Sequence, residues 1–397
     1  LCVHIANVAA MSVDVDGKSI KSDKLSLDGR VQWVVDHEAE IKAIATDPLG
    51  TIELWSQADK PWMYLAACEE YNALFFEMTR TRTDLLVATD CTCSGIQILS
   101  GVTHDADAAA LVNVSPSDTP QDAYDAVAKR AAQMMTGEIA GPSKALGFDQ
   151  YVHLLDRKLC KKVVMTLAYN SSPSSHSEYI KAALKDVQKG DPEAQILPTD
   201  ADERKALLSA LGLVIRQSMK ELLPQVISFK DWVNKCATAR ANALEDGVET
   251  ITWTTHSGFT VSQKKNKPET ITLNTSFGGV RGRIELKVAD TNDVEPNKHG
   301  TCTMPNLVHS LDASILHTAY AGAEYQVALI HDSVMTTAAD MDQAINDFKE
   351  SYIAHFASGE LLGELAESFG SYSDKVKAPT LGGLDISEVR VSNYMLS

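Results

Sequence analysis

The 397-residue chain predicts an α+β fold, and three observations carry that expectation. Apolar residues recur at three- and four-residue spacing over much of the length, which is the helical period. Short β-branched runs, "LLVATD" (Leu85–Asp90) and "QVALIHDSVMTT" (Gln326–Thr337), interrupt that period. Strands and helices do not alternate regularly, which disfavours a doubly wound parallel sheet.

The elements follow in order. Residues 31–47 and 61–78 read as helices, and "DLLVATD" (Asp84–Asp90) as a short strand that ends in a carboxylate. "SPSDTPQDAYDAVAKRAAQMM" opens with capping residues and becomes a helix from about Pro120. "RKLCKKVVMTLAYN" (157–170) reads as a helix. Two more helices, over 202–223 and 225–245, are separated by Pro224. From Thr250 to Val288 β-branched and polar residues alternate, which predicts a β-hairpin region. Its glycine-bearing loop is basic, with Lys264, Lys265, Lys267, Arg281 and Arg283. Val327–Ile330 is an apolar run expected to form a strand buried on both faces. Val334–Thr337 would pair back beside it, with His331, Asp332 and Ser333 at the turn. Residues 340–369 read as mostly helical.

Composition bounds the function. With 44% hydrophobic residues the chain can bury a large core in two or more lobes. A net charge of −17 excludes a generally basic coat, although local basic patches can still bind nucleic acid. No run of about 18 apolar residues points to a membrane partner. The seven cysteines are scattered and complete no zinc set, which favours a reduced, intracellular setting. Because folded-looking sequence, "LCVHIANVAA", starts at Leu1, a fragment or processed product is expected.

Three elements could carry chemistry. An ionised carboxylate at the tip of a buried hairpin is costly unless something pairs with it, and a metal ion would do so for Asp332. The plainer alternative is an aspartate that bonds turn amides. Asp90 also ends an apolar strand, and its plainer alternative is a helix N-cap. Two strand-end carboxylates would suit a pair of Mg²⁺ ions, which take oxygen ligands and leave room for phosphate. The third element is Arg157, Lys161, Met165 and Tyr169, at successive i+4 steps on one helix face. Lys161 and Tyr169 would stand about 12 Å apart along the axis, near the reach from the phosphates to the sugar of a nucleoside triphosphate. A solvated basic face with one buried tyrosine is the alternative.

Together these segments resemble the single-subunit DNA-dependent RNA polymerases of bacteriophages and mitochondria. "TDCTCSGIQILS" resembles motif A of that family, "RKLCKKVVMTLAYN" motif B and "ALIHDSV" motif C. "PSDTPQDAYDAVAKR" and "PNLVHSLDAS" are also similar, and all five occur in the family's order. The resemblance implies a right-hand polymerase fold, mostly helical, with a small antiparallel palm sheet. It implies palm over 1–118 and 310–397, and fingers over 119–309 with a basic hairpin at about 263–286. The thumb and N-terminal promoter domain would be absent from this chain. Asp90 and Asp332 would bind two Mg²⁺ ions. Lys161 would be the catalytic lysine that meets the triphosphate and protonates pyrophosphate, and Arg157 would also meet phosphate. Tyr169 would sit beside the incoming sugar, His309 would sense its 2′-hydroxyl, and Tyr124 and His331 would support the substrate site. Lys264, Lys265, Arg281 and Arg283 would bind promoter DNA. The implied partners are template and promoter DNA, RNA product, nucleoside triphosphates and a separate N-terminal half, in the cytoplasm of an infected bacterial host rather than the mitochondrial matrix. Ser333 favours the RNA over the DNA polymerase branch. Asn170 departs from the glycine usual after the motif B tyrosine, yet asparagine tolerates a left-handed backbone. A primase or DNA polymerase, and an inactive remnant that serves as a binding protein, are the alternative functions.

Overall fold

The computed structural model describes residues 1–15, 17–136, 147–190, 197–243, 251–370 and 376–396. Within them helices dominate and the sheets are small and antiparallel, so the α+β expectation holds. The strands are β1 (Ser12–Val15), β2 (Lys18–Lys21), β3 (Leu86–Asp90), β4 (Ile251–Thr254), β5 (Thr260–Gln263), β6 (Asn266–Phe277), β7 (Val280–Val294), β8 (Val327–Ile330) and β9 (Ser333–Thr337).

Apolar faces gather in two clusters. The first joins helices Cys2–Ala9, Leu27–Asp36, Glu38–Thr46 and Pro61–Tyr71 around Ile5, Trp33, Ile41, Ile44 and Tyr64. The second takes most of the buried apolar residues from Cys91 onward. The three-stranded sheet, in the order β3-β9-β8, follows the first cluster in sequence and takes its last two strands from far down the chain. On β3, Val87 and Thr89 are buried while Asp90 is exposed, so the strand ends at the surface in its carboxylate.

β8 departs from expectation. Its apolar run suggested burial on both faces, but Leu329 and Ile330 are exposed, Ile330 by 59%. β8 is an edge strand with only β9 beside it among the described residues, and a continuous apolar run cannot tell an edge from a centre.

The helix expected over 157–170 also stops early, at Met165. The Thr166 hydroxyl bonds back to the Lys162 and Val163 carbonyls, and tight turns carry the chain to Asn170 at φ 58°. Tyr169 therefore does not share a helix face with Arg157 and Lys161. The expected hairpin region is two hairpins, β4–β5 and β6–β7, and the second runs on to Val294. Its tip is Gly278–Gly279, at φ 57° and 79°, the positive pair that a two-residue hairpin turn requires. Helix Ala201–Leu222 ends before Pro224, which opens helix Pro224–Asn242, as expected; residues 244 and 245 lie outside the described residues.

The helix that follows β3, Ser94–Thr103, packs on helix Met341–Phe356, which follows β9. Gly101 makes the approach possible, since a Cβ there would lie 2.6 Å from both Phe356 and the Tyr352 hydroxyl. That hydroxyl donates to the Gln97 carbonyl at 2.7 Å. Gly101→Ala should therefore destabilise the protein by about 1–3 kcal/mol, the usual cost of overpacking, as read by urea unfolding. Unchanged stability would mean that the helix pair is looser than described.

Candidate active site

The site begins with strand register. Asp90 pairs with Ser333 across β3 and β9, and Asp332 directly precedes Ser333. Adjacent strands lie about 4.8 Å apart, so the two carboxylates are neighbours. The β8–β9 connection is the two-residue turn His331–Asp332, with His331 at φ 54°. A positive φ at a non-glycine residue is strained and persists only where the surroundings fix it. Here both flanking strands are paired, and the Ser333 hydroxyl donates to the Thr89 carbonyl at 3.1 Å. Beyond Asp90 the chain is pinned again. Cys91 bridges to Leu396, and the Thr92 hydroxyl donates to the Tyr394 carbonyl at 2.7 Å.

A third carboxyl, Asp312, faces this pair. It stands one helical turn beyond His309 on helix Pro296–Tyr320, on the same face. Burial first, then Asp332 and Asp90, push its carboxyl up to about 7. Burial and Asp332 likewise raise Asp90, while Lys60 and Lys161 act against that rise. The site is thus a patch of crowded carboxylates with cations at its rim. Among the described residues no group of three or more His, Cys, Asp or Glu side chains is arranged to hold a metal. Two neighbouring carboxylates that repel each other do fit a hard divalent cation whose remaining ligands are water and phosphate.

The cationic wall comes from helix Arg157–Met165, started by the Asp156 side chain on the Leu159 N–H. Lys161 is exposed, and its ammonium lies 6.0 Å from the Tyr124 ring centre. The Arg157 guanidinium lies 5.4 Å from the same ring and forms an ion pair with Asp122. Asp122 also caps helix Ala123–Thr136 through the Tyr124 and Asp125 N–H groups. Tyr124 faces the Cys93 thiol, which ties this wall to the segment after Asp90.

Tyr169 closes the other side. Its ring stacks on His309 at 4.8 Å and 24°, and its hydroxyl is held by Ser94. Burial pushes that hydroxyl up to about 12, so it stays protonated. A Cβ on Gly95 would come within 2.7 Å of Ala168, so the glycine lets the Tyr169 turn approach the helix after Asp90. Asn170 anchors the turn through Asn234 and the Thr301 carbonyl.

The fold thus gathers Asp90, Asp332, His331, Lys161, Arg157, Tyr124, Tyr169 and His309 around one site. It does not bring in the four hairpin cations. Arg281 and Arg283 lie near the exposed tip of β6–β7, and Lys264 and Lys265 in the short connection between β5 and β6, at the other end of that hairpin. Sequence reading missed Asp312, Lys60 and Asp122. Only the three-residue spacing of Asp312 from His309 could have signalled the first.

Asp312 generates a pH prediction. Its folded carboxyl titrates above an unfolded aspartate, so the folded protein keeps a proton there that the unfolded chain has lost. Its stabilising contribution is present at low pH and is lost as pH rises from about 4 to about 7. The buried His4, His176 and His355, all lowered to about 4, act in the opposite direction over part of this range. The comparison is therefore with Asp312→Asn. In chelator, the variant should gain melting temperature relative to wild type on going from pH 5 to pH 7.5. Parallel pH profiles would contradict the crowded-carboxylate description.

A family model described as DNA-dependent RNA polymerase matches residues 1–382. The chloroplastic DNA-directed RNA polymerase 3 of Nicotiana sylvestris is 29% identical over 409 residues, covering 100% of this chain and 39% of the relative. The mitochondrial DNA-directed RNA polymerase 1 of the same plant is 28% identical, covering 100% of this chain and 38% of its own length. T7 RNA polymerase of Escherichia phage T7 is 26% identical over 439 residues, covering 99% of this chain and 48% of its own length. The chain spans about two fifths to one half of the length of these relatives. With its three motifs converging on one carboxylate pair, the chain belongs to the DNA-dependent RNA polymerase family.

Proposed function

We propose that this chain is the palm and fingers part of a DNA-directed RNA polymerase that adds ribonucleotides to an RNA 3′-end on a DNA template. The observation that carries the reading is the Asp90–Ser333 register, which makes Asp90 and Asp332 neighbours within electrostatic reach of Lys161. Palm would comprise 1–118 and 310–397, and fingers 119–309. An N-terminal half that completes the enzyme, and promoter DNA read by the β6–β7 hairpin, belong to the same reading. So does phage-type transcription in the cytoplasm of an infected bacterium.

Asp90 and Asp332 would hold two Mg²⁺ ions, which supply charge neutralisation at the phosphates and a more acidic 3′-hydroxyl. The residues do the rest. Arg157, oriented by Asp122, and Lys161 meet the triphosphate. The 3′-hydroxyl gives its proton to solvent water as its oxygen attacks the α-phosphorus in line, the bond to the bridging oxygen breaks, and pyrophosphate leaves. Lys161 gives a proton to that leaving oxygen. Tyr169 and His309 border the sugar, with His309 free to bond a 2′-hydroxyl.

The test is extension of an RNA primer on a DNA template with Mg²⁺, which bypasses promoter recognition. Wild type should extend it. Asp90→Asn and Asp332→Asn should each lose at least about 100-fold in rate, as expected when charge stabilisation of a transition state is removed. His309→Ala should lose about fivefold in preference for ribo- over deoxyribonucleotides, the worth of one neutral hydrogen bond. A wild type that extends nothing even with the upstream half added in trans, or an active Asp332→Asn, would overturn the reading.

A further inference from the structure

Lys60 and Trp62 have no part in the proposed reaction steps. The Lys60 N–H donates to the Val8 carbonyl at 3.0 Å, which fixes its turn on helix Cys2–Ala9. The same helix carries His4, whose Nδ1 accepts from the Ala88 N–H at 3.2 Å. Ala88 is two residues before Asp90 on β3. One short helix therefore sets Lys60 and Asp90 in fixed relation.

The Lys60 side chain is exposed and forms no ion pair among the described residues. Trp62, in the same turn, is 75% exposed. Its indole leans on Trp55 at 5.1 Å, and Trp55 is buried, so the exposed ring is anchored rather than loose. A free cation beside an anchored, exposed indole is the pairing that holds single nucleic-acid strands, by phosphate contact and base stacking.

The occupant follows from where the cations originate. Arg157 and Lys161 stand on a helix whose Leu159, Cys160 and Val163 enter the second apolar cluster, while Lys60 and Trp62 lie between Ala58 and Tyr64 of the first. Nucleotidyl transfer brings two phosphate-bearing reactants to one pair of carboxylates, the triphosphate and the strand with the 3′-hydroxyl. The first is provided for by the helix Arg157–Met165. In a chain of net charge −17, a strand approaching Asp90 needs a cation of its own.

We propose that Lys60 and Trp62 form a binding site for the 3′-end of the growing RNA strand, with Lys60 on a backbone phosphate and Trp62 stacked on a base. This inference rests on the polymerase reading.

The experiment measures binding without chemistry: fluorescence anisotropy of an end-labelled RNA primer–DNA template, with no nucleotide present. Lys60→Ala and Trp62→Ala should each raise Kd about fivefold or more, the loss expected of one stacked base or phosphate contact. Lys60→Ala should flatten the slope of log Kd against log salt by about 0.7–0.9, and Trp62→Ala should leave that slope alone. Trp62→Phe should retain most of the affinity. Lys24→Ala, which removes a lysine paired with Asp23, should change little. In extension assays the nucleotide KM should stay as in wild type. Unchanged Kd in both variants overturns the inference, as does a loss equalled by Lys24→Ala. A wild type that binds the hybrid but never extends it contradicts the polymerase reading instead, while a Kd rise confined to the two variants still supports the strand site.

Discussion

The antiparallel register of β3 against β9 is the constraint on which the rest depends. It sets Asp90 opposite Ser333 and so forces two carboxylates side by side at one end of a three-stranded sheet. Like charges at that spacing repel, and a fold that tolerates them must hold the strands by other means. It does so at several points. His4 takes the Ala88 N–H, the Ser333 hydroxyl crosses to Thr89, and Leu396 pairs with Cys91. The helices that follow β3 and β9 meet at Gly101. The positive φ of His331 belongs to the same set, because a two-residue turn is what aims Asp332 outward.

The surroundings are arranged around that excess of negative charge. Cations come in from two segments that pack into different apolar clusters, Lys161 beside Cys160 of one and Lys60 near Ala58 of the other. Neither neutralises the pair by contact, so the carboxylates keep free oxygens for a ligand. Arg157 is different: Asp122 holds it and Tyr124 lies beneath it, which fixes its direction before any substrate arrives. The stack of Tyr169 on His309 depends on the Asn170 turn, which reaches across to Asn234 and Thr301. An asparagine can serve there because it adopts the left-handed backbone and also spends its amide on two neighbouring helices.

What the sequence could tell was local. The strand-end position of Asp90, a turn at His331–Asp332 and the break at Pro224 follow from residue type and spacing, although Ser333, expected in that turn, opens β9 instead; the left-handed backbone of Asn170 is an expectation of the family resemblance. The family resemblance added that Asp90 and Asp332 belong together; spacing across more than 240 residues could not. Errors arose where a distant or competing bond decided the outcome. The period through "VVMTLAY" continues past Met165, but the Thr166 hydroxyl takes carbonyls that the helix would use. Val327–Ile330 has the texture of a central strand and sits at an edge, because no pattern within it counts its neighbours. Asp312 is a lone acid amid an apolar helix face, and only the folded helix reveals that it looks at Asp90 and Asp332. Lys60 is silent for the same reason.

The most direct test of the carboxylate pair as a cation site for this chemistry is affinity cleavage. Fe²⁺ would replace Mg²⁺ beside a bound primer–template with a non-extendable 3′-end, and peroxide with ascorbate would start backbone scission. The account predicts cuts confined to the chain around Asp90 and Asp332, suppressed by excess Mg²⁺ and lost in Asp332→Asn. Cuts elsewhere, or cuts at these positions that Asp332→Asn leaves intact, would contradict it.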